Sequence, residues 1–404
     1  MQRASGVRFE VMMLVGFAFV LPLVEVPKTI FWLLYLVTWM VNRIKSGNFG
    51  GKWRLWDSLI GAYIVSVWIG GMFSGLDHGQ WDGARDVGRY GLLLWAISRS
   101  NYTMRDWKLI FVALLAGTLI AAAQGGWLIW NGRRKEMELH SVGHSNHSAI
   151  YLCIVIGAAI AWLIAFWSGM KRGERTLWLI AIVLCALALV ASGSRVAIVV
   201  AALIAIGLGV LYGKQSWKPL VTTVTFLVAS AILITMMQPW VVQKHLRNVS
   251  NDNVLAYRDL IWERAYTAWK EYPVFGLGMD NFSQVTSARY RQWLDKQGRP
   301  YSKERDYGAP HAHNLFLNTL VERGIFGMLF LLSILVAWLA TQRPRPARTD
   351  GFAWALWGAS LSAWFVTISI GLVNTTLHTE HALISVILLG AWLSYRTQRS
   401  IQRE

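Results

Sequence analysis

The run SAIYLCIVIGAAIAWLIAFWS, residues 148 to 168, indicates the fold class, because none of its side chains is charged. A helix of about 20 apolar residues is long enough to cross the hydrocarbon core of a bilayer. Similar runs recur from Phe9 to Tyr395, and no cleavable signal-peptide pattern stands at the start. The 404-residue chain is 55% hydrophobic and only 15% charged, which excludes an ordinary soluble domain. The sequence therefore predicts an all-α polytopic membrane protein.

The apolar runs predict about twelve transmembrane helices. The predicted spans are 9 to 26, 29 to 41, 57 to 74, 87 to 98, 107 to 130, 148 to 168, 177 to 192, 195 to 212, 219 to 239, 315 to 340, 352 to 374 and 380 to 395. The second and fourth runs are short and could be tilted, re-entrant or partial. The pattern divides the chain into a bundle over 1–239, a large loop with amphipathic helices over 240–314, and three last helices with the C-terminus over 315–404.

Lysine and arginine alternate between the short loops. Every second short loop is basic, from Arg3 and Arg8 at the start to Arg396, Arg399 and Arg403 at the end. Basic residues concentrate in the cytoplasmic loops of membrane proteins. Both termini are therefore expected in the cytoplasm, and the large loop is expected on the outer side.

The large loop is itself basic, within a chain whose net charge is +17. Its basic residues are Lys244, Arg247, Arg258, Arg264, Lys270, Arg289, Arg291, Lys296, Arg299, Lys303 and Arg305. An anionic partner would explain them, either membrane phospholipid or a phosphorylated substrate. A solvated loop that meets lipid headgroups is the alternative. Nucleic acid is not expected on that side of the membrane.

The stretch HAHNLFLNTLVERGIFG, residues 311 to 327, places polar groups at the start of an apolar run. A helical wheel that begins at His313 puts one stripe through Leu317, Leu320, Gly324 and Gly327. The two glycines would let another backbone approach. The positive end of the helix dipole would keep His313 neutral, as a general base must be, and would attract phosphate. A capping or interfacial histidine is the alternative.

Three arginines are candidates for holding an anion. Residues 254 to 278 predict an amphipathic helix that ends near Pro273, with Arg258 in the middle of its apolar stripe and Arg264 beside it. Arg195 follows SGS at the entrance of a predicted span. A buried arginine needs a carboxylate or a ligand anion, so structural ion pairs remain the alternative for Arg258, as membrane anchoring does for Arg195.

A metal site is not expected from the histidines on the same side. His378 and His381 are three residues apart, but no third ligand is fixed by spacing, although His140, His144 and His147 are candidates for the same region. The sequence also contains no Asp-x-Asp motif, Walker loop or dinucleotide fingerprint. Metal-free chemistry without a cofactor, in which arginines bear the phosphate charge, fits these residues better.

Taken in order along the chain, these motifs resemble the bacterial O-antigen ligases and the related O-antigen polymerases. The resemblance rests on SGSR at 192 to 195, on Arg258 and its helix, and on His313-Asn314 followed by Gly324 and Gly327. It extends over most of the chain and includes the many spans with one large late loop.

The resemblance implies a GT-C-like glycosyltransferase in the bacterial inner membrane, with its active site facing the periplasm. The donor would be O-antigen linked to undecaprenyl diphosphate, and the acceptor would be lipid A-core. His313 would act on the acceptor hydroxyl, with Asn314 orienting it or capping the helix and Gly324 supporting the packing. Arg195 and Arg258, with Arg264 as a further contributor, would hold the diphosphate.

Other functions remain open at this stage. An O-antigen polymerase uses the same donor with a second lipid-linked glycan as acceptor, and a protein-glycosylating relative is a third choice. A lipid-linked glycan flippase or another transporter belongs to a different class. Such a protein would place polar residues at the bilayer midplane, whereas the ionisable groups here gather at one face.

Overall fold

A computed structural model describes residues 5–76, 79–213, 221, 224–225, 257–347 and 349–401. The helices within these ranges are α1 (Ser5–Val20), α2 (Glu25–Ser46), α3 (Leu55–Met72), α4 (Gln80–Ser98), α5 (Met104–Trp130), α6 (Ser145–Phe166), α7 (Arg172–Ala191), α8 (Arg195–Tyr212), α9 (Arg258–Glu271), α10 (Ser287–Lys296), α11 (Leu315–Thr341), α12 (Gly351–Gly371) and α13 (Thr379–Ile401). Short 3-10 helices cover Phe282–Gln284 and Lys303–Arg305. No β-strand occurs in these ranges.

Seven of the described helices are long and apolar enough to cross a membrane, namely α3, α5, α6, α7, α8, α11 and α12. They confirm the prediction of an all-α, multi-pass membrane protein. The count of twelve spans is not confirmed. The helix α1 has only 16 residues, and α2, α4 and α13 each contain several charged side chains. The ninth predicted span, 219 to 239, lies outside the described residues except for 221, 224 and 225.

The core of the bundle surrounds α6, the most buried of the seven spans. Its neighbours are α5, α7, α8, α12 and α13, while α1 packs between α2 and α5 and α13 packs along α4. Residues on every side of α6 are buried, from Ser148 to Ile164, which agrees with an apolar sequence that has no polar face.

Residues 257–314 fold into a small unit beside α11 with its own apolar core. That core includes Ile261, Ala265, Phe282, Trp293 and Ala312. The unit also pairs much of its own charge, because Glu263 lies 2.7 Å from Arg305 and Glu271 lies 2.5 Å from Lys296. Several basic side chains of the loop are therefore paired within the unit rather than free for an anionic partner.

The helix α11 is broken at Gly324, where the loop after α9 enters. Gly324 has φ +61° and ψ −166°, a conformation that only glycine adopts without strain. Backbone amides of Ile325 and Phe326 donate to Pro273 and Val274, while those of Leu277 and Gly278 donate to Val321 and Glu322. A Cβ on Gly324 would lie 2.1 Å from the Val274 carbonyl oxygen. The predicted close backbone approach is thus observed at Gly324. It is not observed at Gly327, where a Cβ would meet Arg323 of the same helix.

Candidate functional site

His313 lies immediately before α11 rather than within it. The helix begins at Leu315, and His313 has φ +46°, which is uncommon for a residue with a side chain. The helical wheel that began at His313 is therefore corrected, because a residue outside the helix does not share its stripe. Strained backbone of this kind clusters at functional sites, where the surrounding structure holds it in place. Here the neighbouring Asn314 does so.

Asn314 is the N-terminal cap of α11. Its side-chain oxygen accepts hydrogen bonds from the backbone amides of Phe316 and Leu317, each at 3.0 Å. Its amide nitrogen donates to the carbonyl of Leu372 at 2.8 Å, just after α12. Asn314 therefore ties the chain beside His313 to two helices, and its contacts are those of a cap.

Asn374 determines which nitrogen of His313 carries the proton. The Asn374 Oδ1 atom lies 3.3 Å from His313 Nδ1 and also accepts the backbone amide of Thr375 at 2.9 Å. Since that oxygen can only accept, Nδ1 of a neutral ring must be the protonated nitrogen. The lone pair is then on Nε2, the nitrogen available for taking a proton from a ligand.

The surroundings of His313 favour its neutral form. Burial is the main cause that lowers the pKa of His313, and the positive charge of Arg258 and the ring of His144 act in the same direction. The hydrogen bond with Asn374 opposes them. The ring is therefore uncharged near pH 7, which a general base requires.

Arg195 and Arg258 are each the first residue of a helix, α8 and α9 respectively. Burial, and next the guanidinium of Arg195, lower the pKa of Arg258. The two like charges therefore lie close together, and Arg258 also lies near His313. Within the described ranges neither arginine has a carboxylate within ion-pair distance. A helix N-terminus carries partial positive charge, so two helix ends and two guanidinium groups form a site that favours an anion.

Arg264 has a different environment, although it lies on the same helix as Arg258. The buried face of α9 contains Ile261, Arg264, Ala265 and Ala268, so Arg264 and not Arg258 occupies the middle of the apolar stripe. Arg264 is only 4% exposed, pairs with Asp306 and donates to the Val285 carbonyl. This is the structural ion pair that the sequence left open for Arg258, and it leaves Arg264 without a free face for a ligand.

Five histidine rings form a cluster beside His313. His147 is central, with ring centroids 5.2 Å from His381, 6.0 Å from His378, 6.2 Å from His311 and 6.4 Å from His144. His311 therefore lies within this cluster. Burial, and next the neighbouring His378, lower the pKa of His311 to about 4. His140 is exposed, and no group of three or more His, Cys, Asp or Glu side chains in the described ranges is arranged to hold a metal ion.

The site also contains polar residues that sequence reasoning missed. Asn374 follows a long apolar run, in the segment LVNTT, which is a signal that could have found it. Asn318 accepts the backbone amide of Ala312 at 2.9 Å and donates to Glu322 at 2.9 Å. Asn318 and Glu322 are four residues apart on α11, so they occupy one face and support the loop that carries His313.

Taken together, the arrangement places a neutral imidazole near Arg258, which in turn lies near Arg195, at one end of a membrane bundle. Such a site can accept a proton from a hydroxyl group while it binds a phosphate-bearing leaving group.

No curated protein sequence matches the chain. Residues 180–332, which contain Arg195, Arg258 and His313, match the family model described as O-antigen ligase. This match confirms, over that segment, the resemblance to the O-antigen ligases that the motifs indicated.

Proposed function

We propose that this protein is an O-antigen ligase that transfers polysaccharide from undecaprenyl diphosphate to a sugar hydroxyl of lipid A-core. The observation that carries the proposal is that Arg258, which has no carboxylate partner within the described ranges, lies close both to Arg195 and to the neutral His313. A diphosphate would supply the missing negative charge. The family match supports a transferase of this general kind.

In the proposed reaction, Nε2 of His313 takes the proton from the acceptor hydroxyl. The hydroxyl oxygen then forms a bond to the anomeric carbon of the donor, while the bond from that carbon to the diphosphate oxygen breaks. Arg195 and Arg258 hold the diphosphate and stabilise the charge that develops on it. Displacement in one step inverts the configuration at the anomeric carbon. No metal ion is required, because the guanidinium groups bear the charge.

The remaining site residues have positioning roles in this proposal. Asn374 fixes the tautomer of His313, and Asn314 holds the backbone beside it. Gly324 allows α9 and α11 to be joined through the loop between residues 273 and 278. Arg264, first considered as a diphosphate ligand, is assigned the structural role that its pairing with Asp306 indicates.

An apolar cavity near the site fits a donor with a lipid chain. It has a volume of about 320 Å³, lies between α5 and α7, and is lined by Trp130, Ala188 and Ala191 among others. Ala191 is the last residue of α7 and Arg195 is the first of α8. A polyprenyl chain in this cavity would therefore place its diphosphate close to Arg195.

The orientation follows from the same proposal. With both termini in the cytoplasm, the ends of the helices that carry Arg195, Arg258 and His313 face the periplasm. The protein would then reside in the bacterial inner membrane and receive both lipid substrates from the outer leaflet. Membrane lipids surround the bundle, and no nucleic acid takes part.

The proposal is tested by transfer in vitro. Purified protein in detergent is given undecaprenyl diphosphate-linked glycan and lipid A-core, with EDTA present throughout. We expect transfer by the wild type and by His140→Ala, which removes an exposed histidine outside the cluster. We expect His313→Ala to lose at least about 100-fold in rate, the usual contribution of a general base.

Each contrary outcome points to another function. If the wild type lengthens the lipid-linked glycan and ignores lipid A-core, the protein is a polymerase. If it reacts with neither acceptor, the transfer proposal fails and transport becomes the hypothesis to test. If EDTA abolishes transfer, the metal-free mechanism is refuted. If His313→Ala is as active as His140→Ala, His313 is not the base.

A further inference from the structure

A polar cavity lies at the opposite end of the bundle from His313. It has a volume of about 540 Å³ and is lined by Arg43, Lys52, Arg54 and Arg99 together with small polar residues. These residues belong to the end of α2, the loop before α3 and the end of α4. His313 precedes α11, whereas the far end of α11 lies beside this cavity, and a helix of 27 residues spans roughly 40 Å.

The cavity retains positive charge after its internal ion pairs are counted. Asp57 pairs with Arg99 at 2.6 Å and lies 3.6 Å from Arg54, while Glu10 lies 3.4 Å from Arg43. Four cations against two carboxylates leave a net charge of +2. Charge of this sign favours an anion inside the cavity.

The surrounding chain holds the guanidinium groups of the cavity in place. The Nε atom of Arg54 lies 3.6 Å from the Asp57 carboxylate, and the buried Nε atom of Arg43 makes no hydrogen bond within the described ranges. Arg99 fixes the rim of the cavity, because it donates to the carbonyls of Phe49, Gly51 and Lys52. The wall of the cavity is therefore preformed.

An apolar groove continues directly from this cavity. It has a volume of about 400 Å³ and shares Arg54, Ser98 and Thr397 with the basic cavity. Its other lining residues are mainly apolar and come from three helices, with Leu55 and Trp56 on α3, Ala337 and Ala340 on α11, and Leu393 on α13. One ligand that fills both spaces must have a negatively charged head and an apolar tail.

We propose that the basic cavity and the apolar groove together bind an anionic phospholipid of the membrane leaflet opposite the active site. The phosphate group would lie among Arg43, Lys52 and Arg54, and an acyl chain would follow the groove along α11. Basic pockets between membrane helices bind anionic headgroups in this way. This site is separate from the proposed donor and acceptor sites, and it does not depend on the proposed transfer reaction.

The test is native mass spectrometry of the detergent-purified protein with phosphatidylglycerol, phosphatidylcholine or glycerol phosphate. Three variants are compared with the wild type. Lys52→Gln removes one charge from the cavity, and Ala340→Trp fills the apolar groove at an exposed position. Lys171→Gln is the matched control, because it removes an exposed lysine just before α7, at the same end of the bundle but outside the cavity.

We expect the wild type to retain phosphatidylglycerol in preference to phosphatidylcholine. Lys52→Gln should weaken this binding about fivefold, because a basic residue near an anionic lipid surface contributes roughly 1 kcal/mol. Ala340→Trp should also weaken it, and Lys171→Gln should not. Equal binding of the two lipids, or an equal loss in Lys52→Gln and Lys171→Gln, would overturn the proposal. Competition by glycerol phosphate as strong as that by the whole lipid would show a site for soluble anions instead.

Discussion

Arg258 and Arg264 lie on the same helix, but their replacement is expected to have opposite consequences. The side chains of Arg264 and Asp306 are 5% and 4% exposed, so removing the arginine alone leaves a buried carboxylate without its partner. Breaking a buried pair in this way destabilises a protein by about 3–5 kcal/mol. Arg258 has no carboxylate partner within the described residues, so Arg258→Gln should leave the free energy of unfolding nearly unchanged. Loss of its diphosphate contact should instead reduce the transfer rate by about 100-fold to 1,000-fold.

The two effects can be separated by two measurements on each detergent-purified variant. One is the thermal unfolding temperature, and the other is the transfer rate divided by the amount of folded protein. Arg264→Leu should unfold at a clearly lower temperature, while the molecules that remain folded keep transferring. The double variant Arg264→Leu with Asp306→Leu should regain much of the lost stability, since replacing both members of a buried pair by apolar residues is often neutral. The reasoning is refuted if Arg258→Gln is as unstable as Arg264→Leu, or if Arg264→Leu is stable but inactive.

Two further predictions concern the break in α11 and the protonation of the base. Gly324→Ala should lower stability by about 3 kcal/mol or more, because it combines backbone strain of about 1–3 kcal/mol with a clash against the inserted loop. Gly207→Ala is the control, because a Cβ at this helical position meets no atom within 4 Å, and its thermal unfolding midpoint should equal or exceed that of the wild type. Equal unfolding midpoints for Gly324→Ala and Gly207→Ala would contradict this account. Because burial lowers the pKa of His313, the fall of the transfer rate in acidic buffer should begin at a lower pH than an ordinary histidine would give. Arg258→Gln removes a positive charge that lowers the pKa of His313, so the fall of the residual transfer rate in acidic buffer should begin at a higher pH than in the wild type. An unchanged pH dependence would show that Arg258 does not act on His313.

The sequence predicted the helices of the bundle well, because apolar runs of spanning length have few other structures available to them. The predicted run 195 to 212 coincides with α8, and 315 to 340 differs from α11 by one residue. The polar first half of α4 was not included in its predicted span, because hydropathy identifies segments that suit a lipid environment and does not identify polar helical turns. Hydropathy could not detect the break at Gly324 either. The backbone groups on both sides of the break form hydrogen bonds with residues 273–278, which lie about 50 residues earlier in the chain.

The candidate site was predicted less completely, because side-chain partners depend on tertiary contacts. The sequence singled out Arg195, Arg258 and His313, and the structure brings all three to one end of the bundle. It did not reveal that Arg264 pairs with Asp306, 42 residues later in the chain. The tautomer of His313 depends on Asn374, 61 residues away. Periodicity within one helix contains no information on contacts at such separations.

Backbone contacts, rather than the reacting side chains, set the spacing between the proposed base and the proposed diphosphate site. Arg258 begins α9 and His313 precedes α11, and the four hydrogen bonds between residues 273–278 and 321–326 join these two helices. A membrane-spanning helix cannot leave backbone groups unpaired in lipid, so the inserted loop supplies partners that the break would otherwise remove. A Cβ on Gly276 would lie 2.4 Å from the Glu322 carbonyl carbon, so neither side of this junction has space for a side chain. We therefore expect the base and the cation on α9 to keep a fixed separation, and a substitution that opens the junction to reduce transfer without altering either group.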